Sequence, residues 1–115
     1  MPFRSTRQSL KDILEAVRRI ESYTAGMDFE SFRESPIVID AVERNLQKVS
    51  EAAIRLGDQA PVLCPSIPWQ NVRGMGNWLR HQYDAIDLEL IWLTVTDKIP
   101  ALKASVTTAL DKQAN

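Results

Sequence analysis

Apolar residues recur at three- and four-residue intervals along almost the whole of this chain, and that spacing restricts it to helices. Leu10, Ile13, Leu14, Val17 and Ile20 mark one face of a first helix, with Ser5 or Thr6 placed to cap its start and Gly26 to lie just past its end. Asp28 is suited to cap a short turn whose Phe29 and Phe32 face the core. Ser35 and Pro36 open a second long helix, the serine as N-cap and the proline where its missing N–H costs nothing. Val38, Val42, Leu46, Val49, Ala53 and Leu56 form its stripe, and Gly57 closes it. The stretch from Asp58 to Pro68, with Pro61, Pro65 and Pro68, reads as a loop. A third helix is predicted from Pro68 through Trp69, Val72, Met75 and Leu79 to the neighbourhood of Gln82. The last segment carries Ile86, Leu90, Ile91, Val95, Ile99, Leu102, Val106 and Leu110, and Pro100 is expected to bend or break it.

No strand-like alternation, repeat or low-complexity tract interrupts this pattern. The predicted fold is all-α: an antiparallel up-and-down bundle of four main helices plus a short one, in a single domain spanning 1–115. A hydrophobic fraction of 44% and a charged fraction of 25% suit an ordinary globule, but 115 residues make a marginal bundle, so a dimer is expected. Gly74 and Gly76 weaken the third helix by about 1 kcal/mol each relative to alanine, which points to a close approach by another element, such as a partner helix.

Several function classes are excluded. A formal net charge of −1 supplies no global field for nucleic acid, so RNA binding would need a local patch or a grip on one phosphate. A lone cysteine, Cys64, rules out an internal disulfide, and one histidine without a cysteine cluster argues against zinc. No metal or cofactor is expected. The first residues, MPFRSTRQSL, lack the apolar run of a signal peptide, and no segment reaches the roughly 20 apolar residues of a membrane span. The expected location is the cytoplasm.

Chemistry concentrates in Trp69–Asp87, which gathers Arg73, Asn77, Arg80, His81, Gln82, Tyr83 and Asp84 within a few turns. Asn77 and His81 stand at i, i+4 and share a helix face, Arg73 and Asp84 extend the polar line, and Val72, Met75 and Leu79 occupy the other side. On periodicity alone, His81 is a surface or capping residue, the arginines a solvated face and Tyr83 a half-buried core residue. Glu43 and Glu51 form no spaced acid pair, and Cys64 has no nearby base. Trp69, Trp78 and Trp92 are of a type that can stack bases, but tryptophans embedded in helices are more often core or interface anchors.

The run also resembles the signature of HepT-like proteins of the HEPN superfamily: an arginine, four residues of which the first is polar, a histidine, one residue, and a tyrosine. His81, Gln82 and Tyr83 match the histidine–tyrosine part and Asn77 the polar residue. Further likenesses are the Tyr23–Gly26 turn, Asp40–Ala41–Val42, Val49–Ser50–Glu51–Ala52, Ile67–Pro68–Trp69, and the tail from Ile91–Trp92 to Ile99–Pro100. The resemblance implies a toxin of a toxin–antitoxin pair that cleaves RNA, tRNA among the candidate substrates, without metal. The arginine would hold the scissile phosphate, and the histidine would move the proton with the ribose 2′-hydroxyl as nucleophile. It also implies a homodimer with a composite cleft, and a minimal nucleotidyltransferase antitoxin that adenylylates Tyr83 or simply pairs with the toxin. Tyr83 supporting His81 by packing is the other reading of that residue.

One position departs from the signature: Gly76 stands where the arginine belongs. Either Arg80 or Arg73 supplies the charge, or the chain is a silent binding module or accessory subunit of a nucleotidyltransferase, or it is a detoxified variant with impaired activity. The sequence leaves these open.

Overall fold

The computed structural model describes residues 5–80 and 87–113. Among them the elements are α1 (Thr6–Thr24), α2 (Phe29–Arg33), α3 (Pro36–Leu56), α4 (Gln59–Leu63), α5 (Trp69–Arg80), α6 (Leu88–Leu93), a π-helical turn (Thr94–Lys98) and α7 (Ile99–Gln113), with no strand.

The local signals act where the sequence puts them. Ser5 Oγ accepts the N–H of Gln8 at 3.0 Å and starts α1, and Gly26 takes φ +75° just beyond its end. Asp28 and Ser31 cap α2 reciprocally, side chain to backbone in both directions. This anchorage of Asp28 holds its carboxyl below the usual aspartate range, chiefly through the Ser31 backbone N–H. Pro36 opens α3, and Gly57 closes it at φ +53°. Ser35 occupies the N-cap position of α3 without a side-chain hydrogen bond.

α3 is the central element, packing against α1, α2, α4 and α5, while α1 also packs against α7. Arg55 Nη2 meets Asp12 Oδ2 at 3.1 Å, tying the far ends of α1 and α3. Parallel helices with that pair aligned would leave roughly 45 Å for residues 25–35 to span, beyond their fully extended reach of roughly 40 Å, so α1 and α3 run antiparallel. α7 is antiparallel to α1 as well: Arg7 Nη1 donates to the Leu110 carbonyl at 3.4 Å, and Lys103 Nζ lies 3.0 Å from Glu21 Oε1. Between them lies one core of buried side chains, with Leu10, Ile13, Val17 and Ile20 from α1, Val42, Leu46 and Val49 from α3, and Leu102 and Val106 from α7. Phe32 seals its end, fully buried, with its ring 5.0 Å from that of Trp92.

Two expectations are corrected. The proline-rich stretch after Gly57 contains a short helix, α4, because Pro61 falls in its first turn, where a missing N–H breaks no helical bond. The break allowed for at Pro100 does not occur. α6 runs through the π turn into α7, the N–H of Ile99 reaching back five residues to the Thr94 carbonyl. Widening the ladder just ahead of the proline accommodates its ring and its absent N–H without interrupting the helix.

Candidate functional site

α5 is a short helix fastened at both ends of its inner face. At its start the buried Trp69 donates its indole N–H to the Cys64 carbonyl at 2.9 Å, so α5 is anchored on the proline connection that precedes it. Cys64 is itself fully buried, which assigns its thiol to packing. Farther along, Gly76 and Leu79 are buried while Asn77 and Arg80 are exposed. Val72 and Met75 are half-buried and pack against the core with Trp78 and Trp92.

The two glycines of α5 have opposite surroundings. A Cβ added at Gly74 would meet nothing within 4 Å. A Cβ at Gly76 would stand 2.8 Å from Ser50 Oγ, 3.1 Å from Ser50 Cβ and 3.5 Å from Arg80 Nη1. The close approach expected from the sequence is therefore real at Gly76, and the approaching element is α3 of the same chain. Ser50 is 2% exposed and bridges the helices: its hydroxyl donates to the Arg73 carbonyl at 2.7 Å and accepts the Gly76 N–H at 3.2 Å. Sequence reasoning named Ser50 only within the Val49–Ser50–Glu51–Ala52 likeness and gave it no role. The available signal was a small hydroxyl residue beside the apolar stripe of α3, one position past Val49 and three before Ala53.

Arg73, Gly76, Asn77 and Arg80 thus occupy i, i+3, i+4 and i+7 of one helix, with the glycine between the two arginines. Neither arginine forms an ion pair among the described residues, in contrast with Arg19, Arg33, Arg44 and Arg55. No acidic residue occurs between Asp58 and Asp84, so α5 carries positive charge alone in a chain whose net charge is −1. This is a local cationic patch of the kind the overall charge required. His81, Gln82, Tyr83 and Asp84 lie outside the described residues, as does Ile86.

The other candidates separate from this site. Glu51 is exposed and sits 3.7 Å from Arg44. Glu43 is half-buried, and burial followed by the neighbouring Asp40 carboxylate pushes its carboxyl above the usual glutamate range. No helix of the described residues is long and apolar enough to cross a membrane.

Comparison with known proteins gives this patch a context. A protein of Thermococcus cleftensis described as "Probable ribonuclease HepT" is 36% identical over 100 residues, covering 87% of this chain and 91% of its own. "Putative RNase MJ1380" of Methanocaldococcus jannaschii is 30% identical over 106 residues, covering 92% and 97%. "Putative RNase TTE0752" of Caldanaerobacter subterraneus subsp. tengcongensis is 28% identical over 110 residues, covering 96% and 98%. No solved structure gives a significant match. The family model described as "Ribonuclease HepT-like" matches residues 13–109, nearly the whole of the helical bundle and all of α5, and the chain belongs to the ribonuclease HepT-like family.

Proposed function

We propose that this chain is the toxin of a toxin–antitoxin pair and cleaves RNA without a metal ion. The observation that carries the reading is the acid-free α5, whose Arg73, Asn77 and Arg80 lead directly into His81 in a chain that belongs to a ribonuclease family. His81 is the proton-transfer group, since an imidazole titrates near neutrality. Asn77 orients the substrate, and an α5 arginine holds the phosphate. In the reaction the ribose O2′ attacks the adjacent phosphorus, the O2′–P bond forms and the P–O5′ bond breaks. His81 takes the proton of the 2′-hydroxyl, the departing O5′ gains a proton, and the products are a 2′,3′-cyclic phosphate and a 5′-hydroxyl. In a homodimer with the two α5 helices facing each other, a second His81 is available to supply the latter proton. The outward side of α5, open at Gly74, supports such a pairing. The partner that silences the toxin is a minimal nucleotidyltransferase, with Tyr83 as the residue it adenylylates.

The test is cleavage of tRNA and single-stranded RNA in the presence of a chelator. Cleavage that His81→Ala abolishes supports the reading. One observation favours a second reading, a catalytically silent module that only binds a nucleotidyltransferase: Gly76 stands where the family signature has arginine. If neither the chain nor a Ser50→Gly, Gly76→Arg double variant cuts RNA, the ribonuclease reading is lost and the silent one gains.

A further inference from the structure

The side chain of Arg80 doubles back along α5. Its Nη1 lies 3.5 Å from the point where a Cβ of Gly76 would stand, one turn before its own Cα. Helical side chains lean toward the N-terminus, so this is the direction in which Arg80 naturally extends. What requires glycine at 76 is Ser50, whose Oγ would stand 2.8 Å from an added Cβ, and with glycine there the guanidinium lies over the turn where α5 meets α3 most closely. The backbone beneath is fixed by Ser50, which ties the Gly76 N–H and the Arg73 carbonyl to α3. Arg80 itself is exposed, and among the described residues no carboxylate or carbonyl takes its donors. A guanidinium lying over this turn, with no acid on its own helix and no partner for its donor fork among the described residues, is set to grip an oxyanion bidentately. Arg73 is less suited, because its side chain is half-buried and its turn is the one pinned by Ser50.

We propose that Arg80 is the phosphate-binding residue of this chain, holding the non-bridging oxygens of one RNA phosphodiester, and that Gly76 and Ser50 are the positioning residues that give its guanidinium a seat. The inference rests on the ribonuclease reading for the identity of the phosphate. It also changes the meaning of Gly76: the glycine is part of an arrangement in which the charge arrives from one turn later in the helix.

The test measures binding and cleavage separately. Binding uses a fluorescently labelled, fully 2′-O-methylated oligoribonucleotide, which cannot be cut, titrated with the full chain at several salt concentrations. Arg80→Ala is expected to weaken binding about tenfold and to lower the slope of log affinity against log salt by about 0.7, the loss of one phosphate contact to a single strand. Arg80→Lys should recover only part of the affinity, because an ammonium lacks the planar fork. Gly76→Ala, checked for helicity, should lower the slope as well, because displacing the turn held by Ser50 carries Arg80 with it, and adding Ser50→Gly, which frees the space, should restore the slope, while Arg19→Ala should leave it unchanged. Unaltered affinity and slope in Arg80→Ala would overturn the proposal whatever the cleavage result. RNA cleavage that needs His81 but not Arg80 would sink the proposal and leave the ribonuclease reading standing. A chain that never cuts but loses binding on Arg80→Ala would do the reverse. Failure of the unmodified chain to bind the oligonucleotide would overturn the proposal.

Discussion

Replacing Gly76 by alanine sets two ordinary effects against each other, and the structure determines the winner. In an open mid-helix position the change stabilises by about 1 kcal/mol, because glycine loses more backbone entropy on folding than alanine does. Gly74 is such a position, with nothing within 4 Å of an added Cβ. At Gly76 the same methyl group meets Ser50 Oγ at 2.8 Å and Ser50 Cβ at 3.1 Å. Ser50 must rotate or α5 must lift, either of which breaks the two hydrogen bonds of the hydroxyl, worth about 1 kcal/mol each. Overpacking adds about 1–3 kcal/mol. Subtracting the propensity gain, Gly76→Ala should destabilise by about 2–4 kcal/mol, lowering Tm by roughly 10–20 °C for a domain of this size. Gly74→Ala should raise stability by about 0.5–1 kcal/mol. Urea unfolding followed by far-ultraviolet circular dichroism gives both values, with unchanged m as the check that the transition is the same. A cycle with Ser50→Gly should show a coupling of at least about 1 kcal/mol, since removing the serine side chain frees the space. If Gly76→Ala proves as stabilising as Gly74→Ala, the contact between α3 and α5 is not as described, and the seat for Arg80 falls with it.

Two further outcomes are expected. Trp69→Phe keeps an aromatic ring but removes the indole donor from the buried Cys64 carbonyl, which retains only the Ile67 N–H at 3.3 Å, so it should cost about 1 kcal/mol in chemical unfolding, and a loss below about 0.5 kcal/mol would show that this bond does not anchor α5. Glu43 has a raised carboxyl, so the folded chain binds its proton more tightly than the unfolded one does, and stability should fall as pH rises from about 4 through the raised value. Glu43→Gln should remove that decline, so its advantage over the parent chain in thermal melts should grow from mild acid to neutrality. An advantage independent of pH would refute the assignment.

The bundle was legible because its signals are local. Ser5, Gly26, Asp28, Pro36 and Gly57 each act through their own turn, and the apolar spacing of α1 and α3 needs no partner to be read. What the sequence hid depends on where a residue falls within an element. Pro61 marks a loop only until its helix begins two residues earlier, and Pro100 breaks a helix only if the ladder ahead of it stays α. At the site, Arg73, Asn77 and Arg80 could be placed on one helix from spacing alone. The opposite surroundings of Gly74 and Gly76 could not, because the difference is made by Ser50, twenty-six residues away in sequence from Gly76. A contact between helices leaves no trace in the periodicity of either one.

The π turn has a consequence for how this chain tolerates changes in length. A residue removed from an α-helix rotates everything beyond it by about 100°, enough to carry a buried row out to solvent. In α1 or α3 that would misdirect the row running on to Ile20 or Leu56. Between Thr94 and Lys98 the helix already holds one residue more than an α turn requires, so a single deletion there would close the wide turn and leave Leu102, Val106 and Leu110 pointing inward as before. The last helix thus carries its own slack, and it lies where Pro100 would otherwise force a break.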